Sequence, residues 1–431
     1  MHMPSVIGPA LAVTCLLSPL ASAQLSQGAT SQVRRGVTTI QQVEPRITVG
    51  LRQASDLDAV ASDWGLPVVG TTSFGAAFEL GLPPDATPQL VSTIEAGLAA
   101  DPRVRFSEQS MGLRAPESTG CLAPSSEVSG LPCTISFYDG DPAPEKYYDQ
   151  PLSPIIDLGN AQTYLPGVPS LVAVIDTGVD ASHSLLANRI HPAGYDFTQD
   201  AVGAPDVGDG LDNDFDGLVD EAVGHGTHIA GTIVLINPDA WILPLKVLDS
   251  DGNGTSFDVA EAIYHAVANG AQVINLSLGM AGESVAVAEA LEFAHELDVE
   301  VYAAAGNTGD YGISFPASHH DVYAVTAVDD QDVKASFASF GPEVDLAAPG
   351  VEIYSAMPGE AWAWWSGTSM STAVVSGIAS MVCSIDPVEH EGGKDMKNGC
   401  VELELLNPAY YDLLGYGRVD AAETVEETSK Y

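Results

Sequence analysis

Positive charge is scarce in this chain. Its 431 residues carry 15 Lys+Arg against 58 Asp+Glu, a formal net charge of -43 at pH 7. A protein so poor in cations has no basic face with which to neutralise phosphates, which excludes a nucleic-acid binder and argues against docking on an anionic membrane. Aromatic residues are also few, at 7%, but 45% of positions are hydrophobic, only 17% are charged and the mean hydropathy is +0.12. The chain is therefore acidic for want of Lys and Arg, not for want of a core, and charge-driven disorder is excluded. The imbalance is local: residues 24–116 carry a net charge of -2 and residues 117–431 a net charge of -41. There is no internal repeat, and beyond the first two dozen residues no apolar run is long enough to span a membrane.

The N-terminus holds an apolar stretch from Ile7 to Leu20 followed by Ala21-Ser22-Ala23, the small-residue pattern that a signal peptidase cuts after. Residues 1–23 are expected to be a signal peptide and the protein to be secreted, extracellular or periplasmic. Cysteine is sparse, five in all, and Cys15 would leave with the signal. The remaining Cys121, Cys133, Cys383 and Cys400 suit an oxidising compartment. Pairing by proximity would join Cys121 to Cys133 and Cys383 to Cys400, with four free thiols as the alternative. No spacing is C-x-x-C, so a zinc or redox site has little support.

Two rhythms follow. Residues 46–108 alternate strand-like and helix-like patterns: Ile47 to Leu51, a helix over Asp56 to Trp64, a strand over Phe74 to Leu80, a helix over Pro88 to Ala100 and a strand over Arg103 to Phe106. This predicts a small α+β unit. From Met111 to Pro154 the sequence is rich in Pro, Gly, Ser and Asp and reads as a linker or extended arm. Then Leu171-Val172-Ala173-Val174-Ile175 is a continuous apolar run, as expected of a strand buried on both faces of a parallel sheet. Alternating patterns continue with a helix over Asp258 to Asn269, a strand over Gln272 to Leu278 and a helix over Ser284 to Leu297. Strands over Val299 to Ala305 and Val322 to Val328 follow. Together they predict an α/β fold built on a doubly wound parallel sheet, whose active groups collect at the carboxyl ends of the strands.

Three segments carry chemistry. Asp176 lies in Val174-Ile175-Asp176-Thr177-Gly178, just past the buried run. His225 and His228 lie in Gly224-His225-Gly226-Thr227-His228-Ile229-Ala230-Gly231. Ser369 lies in Gly367-Thr368-Ser369-Met370-Ser371, at the entry to an apolar helix expected over Thr372 to Cys383. A serine at a helix start faces backbone N–H groups that favour an alkoxide or oxyanion. A histidine can take its proton, and a buried carboxylate fixes the imidazole tautomer. Each segment alone has a plainer reading. Asp-Thr-Gly occurs in aspartic proteases, but those need a second such carboxylate, and no second copy exists here. Two histidines three apart are compatible with a metal site, and a serine before a helix is usually an N-cap.

Taken together, and in the order Asp, His, Ser, these segments resemble the subtilisin-type serine proteases, the subtilase family. The resemblance implies a signal peptide (1–23), a propeptide that acts as inhibitor and folding chaperone (24–110), a linker or mature N-terminal arm (111–143) and a catalytic domain (144–431) that includes Gly415-Tyr416-Gly417-Arg418-Val419-Asp420. It implies that Asp176 orients the base, His225 is general base and acid, Ser369 is the nucleophile, and Asn307 in Ala305-Gly306-Asn307 donates to the oxyanion. It also implies that the substrate backbone pairs with Ser277-Leu278-Gly279 on one edge and Gly254-Thr255-Ser256 on the other, with Gly306 near the primary pocket. One departure is that Ser371-Thr372-Ala373-Val374 follows Met370 where the family usually has a small residue, Pro and His. The expected function is a secreted endopeptidase acting through an acyl-enzyme and made as an autoprocessed proenzyme. It would act as a monomer on protein or peptide substrates, with its own propeptide as inhibitor. An inactive binding module of the same fold and an acyl transferase are the alternatives.

Finally, Asp209 to Glu221 places six carboxylates in thirteen residues. Asp212, Asp214 and Asp216 at alternate positions, Gly217 for the turn, the Leu218 carbonyl and Asp220 follow a calcium-loop spacing, although Val223 stands where a bidentate Glu is usual. Structural calcium is expected there, with a solvated acidic loop of an acidic protein as the alternative.

Overall fold

The computed structural model describes residues 45–117, 137–139, 144–387 and 392–430. The signal segment and both Cys121 and Cys133 lie outside the described residues.

The apolar run at Leu171 becomes the strand Leu171–Asp176, fifth in an eight-stranded sheet. Across the sheet the order is Leu346–Pro349, Tyr323–Val328, Glu300–Ala304, Val273–Leu276, Leu171–Asp176, Trp241–Lys246, Tyr195–Asp196 and Ala201–Val202. Every pair is parallel except the last. The chain leaves Leu171–Asp176 toward Trp241–Lys246 on one side and later returns to Val273–Leu276 on the other. Asp176 therefore stands at the carboxyl end of the strand where the winding reverses, the usual place for a site in such sheets.

Successive residues of that strand face opposite layers. Val172 and Val174 pack under the helices His225–Ile236 and Thr368–Ile385, with Ile229, Ile233, Val374 and Ile378 in one core cluster. Ala173 and Ile175 pack under Ser256–Ala268 and Val285–Glu296, with Val259, Ile263, Val287 and Leu291. Each fully buried Ile or Leu contributes about 1.5–3 kcal/mol, so both faces of the sheet are strongly held. Helix Thr368–Ile385 is long and apolar enough to cross a membrane, but 94% of its apolar window is buried inside the protein.

Residues 45–110 form a four-stranded antiparallel sheet in the order Val68–Thr71, Phe78–Gly81, Arg46–Leu51, Val104–Gln109. Helices Leu57–Trp64 and Pro88–Ala99 complete it around Ile47, Val49, Val60, Leu80 and Leu98. Thr87 caps the second helix through its hydroxyl, with Pro88 at the first helical position, where a missing N–H costs nothing. This unit rests on the two helices of the second layer. Phe74 packs on Tyr264 and Phe293, and Arg105 pairs with Glu289.

Several expectations are corrected. The region read as a linker or extended arm contains the strand Gly112–Arg114, a strand at Phe137–Asp139 paired with Ala361–Trp365, and short helices from Pro144. The serine helix starts at Thr368, not Thr372, because the polar Thr-Ser-Met-Ser turn is itself buried. Phe74 is in a 3-10 turn and the following strand begins at Phe78. Cys383 and Cys400 are unbridged thiols, so the expected pair is not formed. Burial pushes the Cys400 thiol up to about 12 and raises Cys383 well above its ordinary value.

Candidate active site

Asp176 ends its strand fully buried, and one of its oxygens, Oδ1, faces His225 Nδ1 at 2.8 Å and accepts from Thr177 N–H at 2.7 Å. Its second oxygen is buried and meets no hydrogen-bond partner. His225 is the first residue of its helix, and the two glycines around it explain how the helix start reaches the strand end. Gly224 adopts φ +97, and a Cβ on Gly226 would lie 2.1 Å from the Gly178 carbonyl oxygen. Any side chain at position 226 would push the helix off the Asp176 strand. Trp365 covers the His225 ring edge-on, with centroids 5.2 Å apart.

A second buried carboxylate holds the helix start. Asp206 accepts from Gly224 N–H at 2.9 Å and Thr227 N–H at 3.1 Å, and from the Thr177 hydroxyl at 3.3 Å. The Thr177 hydroxyl oxygen in turn accepts from Gly226 N–H at 2.9 Å. Burial pushes Asp206 up to about 6, although hydrogen bonds from Thr227 and Gly224 and the nearby Lys246 ammonium oppose the shift. No sequence signal marked Asp206, a lone aspartate in a Gly/Pro loop.

Ser369 is the second residue of its helix and is fully buried. Asn307 follows the strand Glu300–Ala304, and its carboxamide is oriented by Thr368, whose N–H and hydroxyl both donate to Asn307 Oδ1 at 3.0 Å. The Asn307 Nδ2 and the Ser369 N–H thereby face the same point, and there they meet an unexpected group. Glu117 Oε1 accepts from Asn307 Nδ2 at 2.9 Å and from Ser369 N–H at 3.4 Å. Glu117 Oε2 accepts from Ser369 Oγ at 2.8 Å and lies 3.2 Å from His225 Nε2. The serine and histidine are thus joined through Glu117, which is 1% exposed. Burial alone would lower the proton affinity of His225, but the Asp176 carboxylate, and then Glu117, outweigh it and push His225 up to about 10. With Glu117 in place the imidazole is protonated and holds no lone pair for the serine proton.

His228, three residues on, turns away. Its Nε2 faces the Ile353 carbonyl oxygen at 3.0 Å, and burial and then the neighbouring His225 charge push it down to about 3. It is a neutral core histidine and shares no ligand position with His225.

Residues 112–115 lie in the cleft as a strand between two edges. Gly112–Arg114 runs antiparallel to Asn253–Thr255, with Leu113 opposite Gly254, and Ala115 N–H donates to the Gly252 carbonyl at 3.0 Å. On the other side Arg114 and Gly279 exchange hydrogen bonds of 3.0 and 2.9 Å. Gly279 thus lies on one edge of the cleft and Gly254 on the other, with Gly252 added by the structure. A Cβ on Gly254 would sit 2.3 Å from the Val247 carbonyl oxygen, and one on Gly279 2.8 Å from Ser314 Oγ. Ser277, two residues before Gly279, donates to the Ser369 carbonyl at 3.2 Å. Gly306 adopts φ +112 and donates to the Thr368 hydroxyl at 3.2 Å, next to Asn307 rather than on either edge.

The acidic loop is partly as read. Asp212, Asp214 and Asp216 bring carboxylate oxygens within 4.8 Å of one another, and Gly217 turns at φ +97. Asp220 points elsewhere, accepting from Asp209 N–H at 2.9 Å and Gly210 N–H at 3.1 Å. Leu218 N–H donates to Asp216 at 2.8 Å. Asp214 belongs also to a second group with Glu221 and the buried Asp251. Both oxygens of Glu221 are shielded and hydrogen-bonded to nothing, and burial, then Asp251, pushes it up to about 7. Asp251, thirty residues further along the chain, was beyond any loop spacing.

A model of the Subtilase family matches residues 169–396. The chain is 40% identical over 223 residues to the thermophilic serine proteinase of Bacillus sp. (strain AK1), covering 49% of this chain and 52% of that one. It is 38% identical over 218 residues to thermitase of Thermoactinomyces vulgaris, covering 51% and 76%, and 36% identical over 244 residues to subtilisin DY of Bacillus licheniformis, covering 54% and 82%. The match to the first of these thus spans about half of that relative's length. In fold it is similar to fervidolysin from Fervidobacterium pennivorans, described as a keratinolytic enzyme related to subtilisin, with a TM-score of 0.68 and 24% identity over 89% of this chain and 61% of that one. The chain belongs to the subtilase family.

Proposed function

We propose that the whole protein is a secreted serine endopeptidase made as a proenzyme. Ser369 attacks a peptide carbonyl, His225 takes the serine proton and returns it to the leaving amine, and Asp176 holds the imidazole. Asn307 Nδ2 and the Ser369 N–H stabilise the oxyanion. The observation that carries this reading is the convergence of His225 Nε2, Ser369 and Asn307 on one point, with Asp176 behind the imidazole, at the end of a cleft that already holds a peptide strand, residues 112–115, between two backbone edges. Residues 45–110 then act as the attached inhibitor, and removal downstream of them releases the cleft. All four positions are filled by competent side chains, which favours an enzyme over an inactive module of the same fold. Casein hydrolysis by purified protein, abolished in Ser369→Ala and by a serine-directed phosphonate, tests the reading. Activity that survives Ser369→Ala would overturn it.

We also infer that calcium is held at the acidic loop. Asp212, Asp214 and Asp216, and around Asp214 also Glu221 and Asp251, supply hard oxygen ligands. The fit rests on Glu221, whose two shielded oxygens have no hydrogen-bond partner, a costly state for a carboxylate that a cation would relieve. Bound there, calcium would fix the loop that leads into the His225 helix.

A further inference from the structure

Glu117 is absent from the chemistry of peptide hydrolysis, yet its carboxylate touches three of the four residues proposed to perform it, His225, Ser369 and Asn307. We propose that Glu117 is a side-chain plug: its carboxylate occupies the oxyanion position in place of a peptide carbonyl, so that residues 112–115 sit in the cleft as a substrate would while the chain is not cut at the turn that follows. The proposal rests on the serine-peptidase reading above and adds to it the residue that blocks the centre.

The backbone register sets the placement. Arg114 pairs with Gly279 in antiparallel fashion, and the chain then turns at Pro116 and Glu117, which brings the Glu117 carboxylate to Ser369. Proline has no N–H to donate and so cannot extend the ladder. The Ser369 hydroxyl lies 3.5 Å from the Ser277 carbonyl oxygen. The strand thus ends before the point where a scissile carbonyl would have to be held, and the Glu117 side chain occupies that point.

The two carboxylate oxygens divide the work of a transition state. Oε1 takes the two oxyanion donors, Asn307 Nδ2 and Ser369 N–H, at 2.9 and 3.4 Å. Oε2 stands between Ser369 Oγ and His225 Nε2, at 2.8 and 3.2 Å, where the serine proton would pass. A carboxylate is a poor electrophile, because attack on it would build a dianion with no leaving group, so the plug is bound and not consumed. Gly367 makes room for it: a Cβ there would lie 1.8 Å from Oε1. Charge-assisted bonds in a water-excluded site are the strong ones, and Glu117 makes its bonds while 1% exposed.

The test is phosphonylation of Ser369 in the full chain by a fluorophosphonate probe, timed before processing and followed on gels as the full-length band, with Ser369→Ala as the blank. Labelling of Glu117→Ala is expected to be about 10- to 100-fold faster than wild type, the range for losing a hydrogen bond to a charged group. Glu117→Gln, which keeps the size but loses the charge, should fall between. Arg114→Ala, which trims the neighbouring side chain of the same strand, should label within about twofold of wild type, because its backbone bonds remain. Equal labelling of wild type and Glu117→Ala would overturn the plug, as would equal acceleration in Arg114→Ala, which would mean a loosened strand. Failure of every variant to label, before and after processing, would overturn the serine-peptidase reading and the plug with it.

Discussion

Glu108 of the N-terminal unit accepts a hydrogen bond from the hydroxyl of Ser284 at 2.7 Å, at the start of helix Val285–Glu296. The same carboxylate accepts from Val285 N–H at 2.8 Å and Ala286 N–H at 3.1 Å, so one unit caps a helix of the other. A helix start carries unsatisfied N–H groups and a partial positive charge, which a carboxylate answers on both counts. Glu108→Ala is expected to weaken the hold of the N-terminal unit on the rest by about 1–2 kcal/mol, or roughly tenfold in affinity. Titrating the separately produced unit and its variant as inhibitors of the processed enzyme would measure this. Equal inhibition by both would show that the cap adds nothing.

Asn307 has two duties on its two amide atoms, and they separate in a mutant. Nδ2 faces the oxyanion position, while Oδ1 receives the Thr368 N–H and hydroxyl. Asn307→Ala should lower turnover by about 100- to 1,000-fold, the figure known for the matching donor of subtilisin rather than one derived from this structure. It should also cost about 1–2 kcal/mol of stability, because the Thr368 donors lose their acceptor. KM should change little. A variant that retained full turnover would remove Asn307 from the oxyanion role.

The doubly wound sheet and the meeting of the Asp176, His225 and Ser369 segments at one end of it were legible because their signals are local. A continuous apolar run, a carboxylate at its end and glycines flanking a histidine are all read within a few residues. What escaped was set by tertiary contact. Trp241–Lys246 was not recognised as a strand although it pairs with Leu171–Asp176 along its whole length; Pro244 interrupts its pattern, and only burial against the neighbouring strand overrides that. Asp206 and Glu117 each act on groups far away in sequence, Glu117 on a serine 252 positions on, and no periodicity encodes such a meeting. Asp251 escaped for the same reason. The Gly112–Arg114 strand was hidden in a Pro/Gly-rich stretch because it gains its order from the two cleft edges, not from its own composition.

The plugged centre should have a pH signature. His225 is pushed up to about 10 in the folded proenzyme from an ordinary value near 6.5, since Asp176 and Glu117 outweigh the burial that would lower it. A raised histidine contributes stability that is fully present below its unfolded value and is lost as pH rises through the folded one. The melting temperature of the uncleavable Ser369→Ala full chain is therefore expected to fall between about pH 6.5 and pH 10. The fall should be shallower when Glu117→Gln is added, because one of the two carboxylates holding the proton is then neutral. Identical pH profiles for the single and double variants would mean that Glu117 does not bear on His225.

The acidic loop supplies a test of the cation. Carboxylates of Asp214, Glu221 and Asp251 converge within 4.8 Å, and in a chain of net charge -43 they add to a repulsion that only a counter-charge relieves. Arg114 Nη2 approaches Asp214 at 3.4 Å from the cleft strand, but its side chain is 47% exposed, so screening leaves that pair weak and departure of the cleft strand on processing takes it away. The processed enzyme should then depend on calcium more than the proenzyme does. Calcium at about 100 times its dissociation constant would add about 2.7 kcal/mol, or roughly 5–10 °C in melting temperature for a domain of this size. EDTA should reverse the gain. Glu221→Gln should blunt it, since that side chain has no other partner to lose, whereas Asp220→Asn, whose carboxylate is spent on Asp209 and Gly210 N–H groups, should leave it largely intact. Scanning calorimetry with calcium and with EDTA reads both, and a calcium shift unchanged in Glu221→Gln and Asp214→Asn would place any bound ion elsewhere.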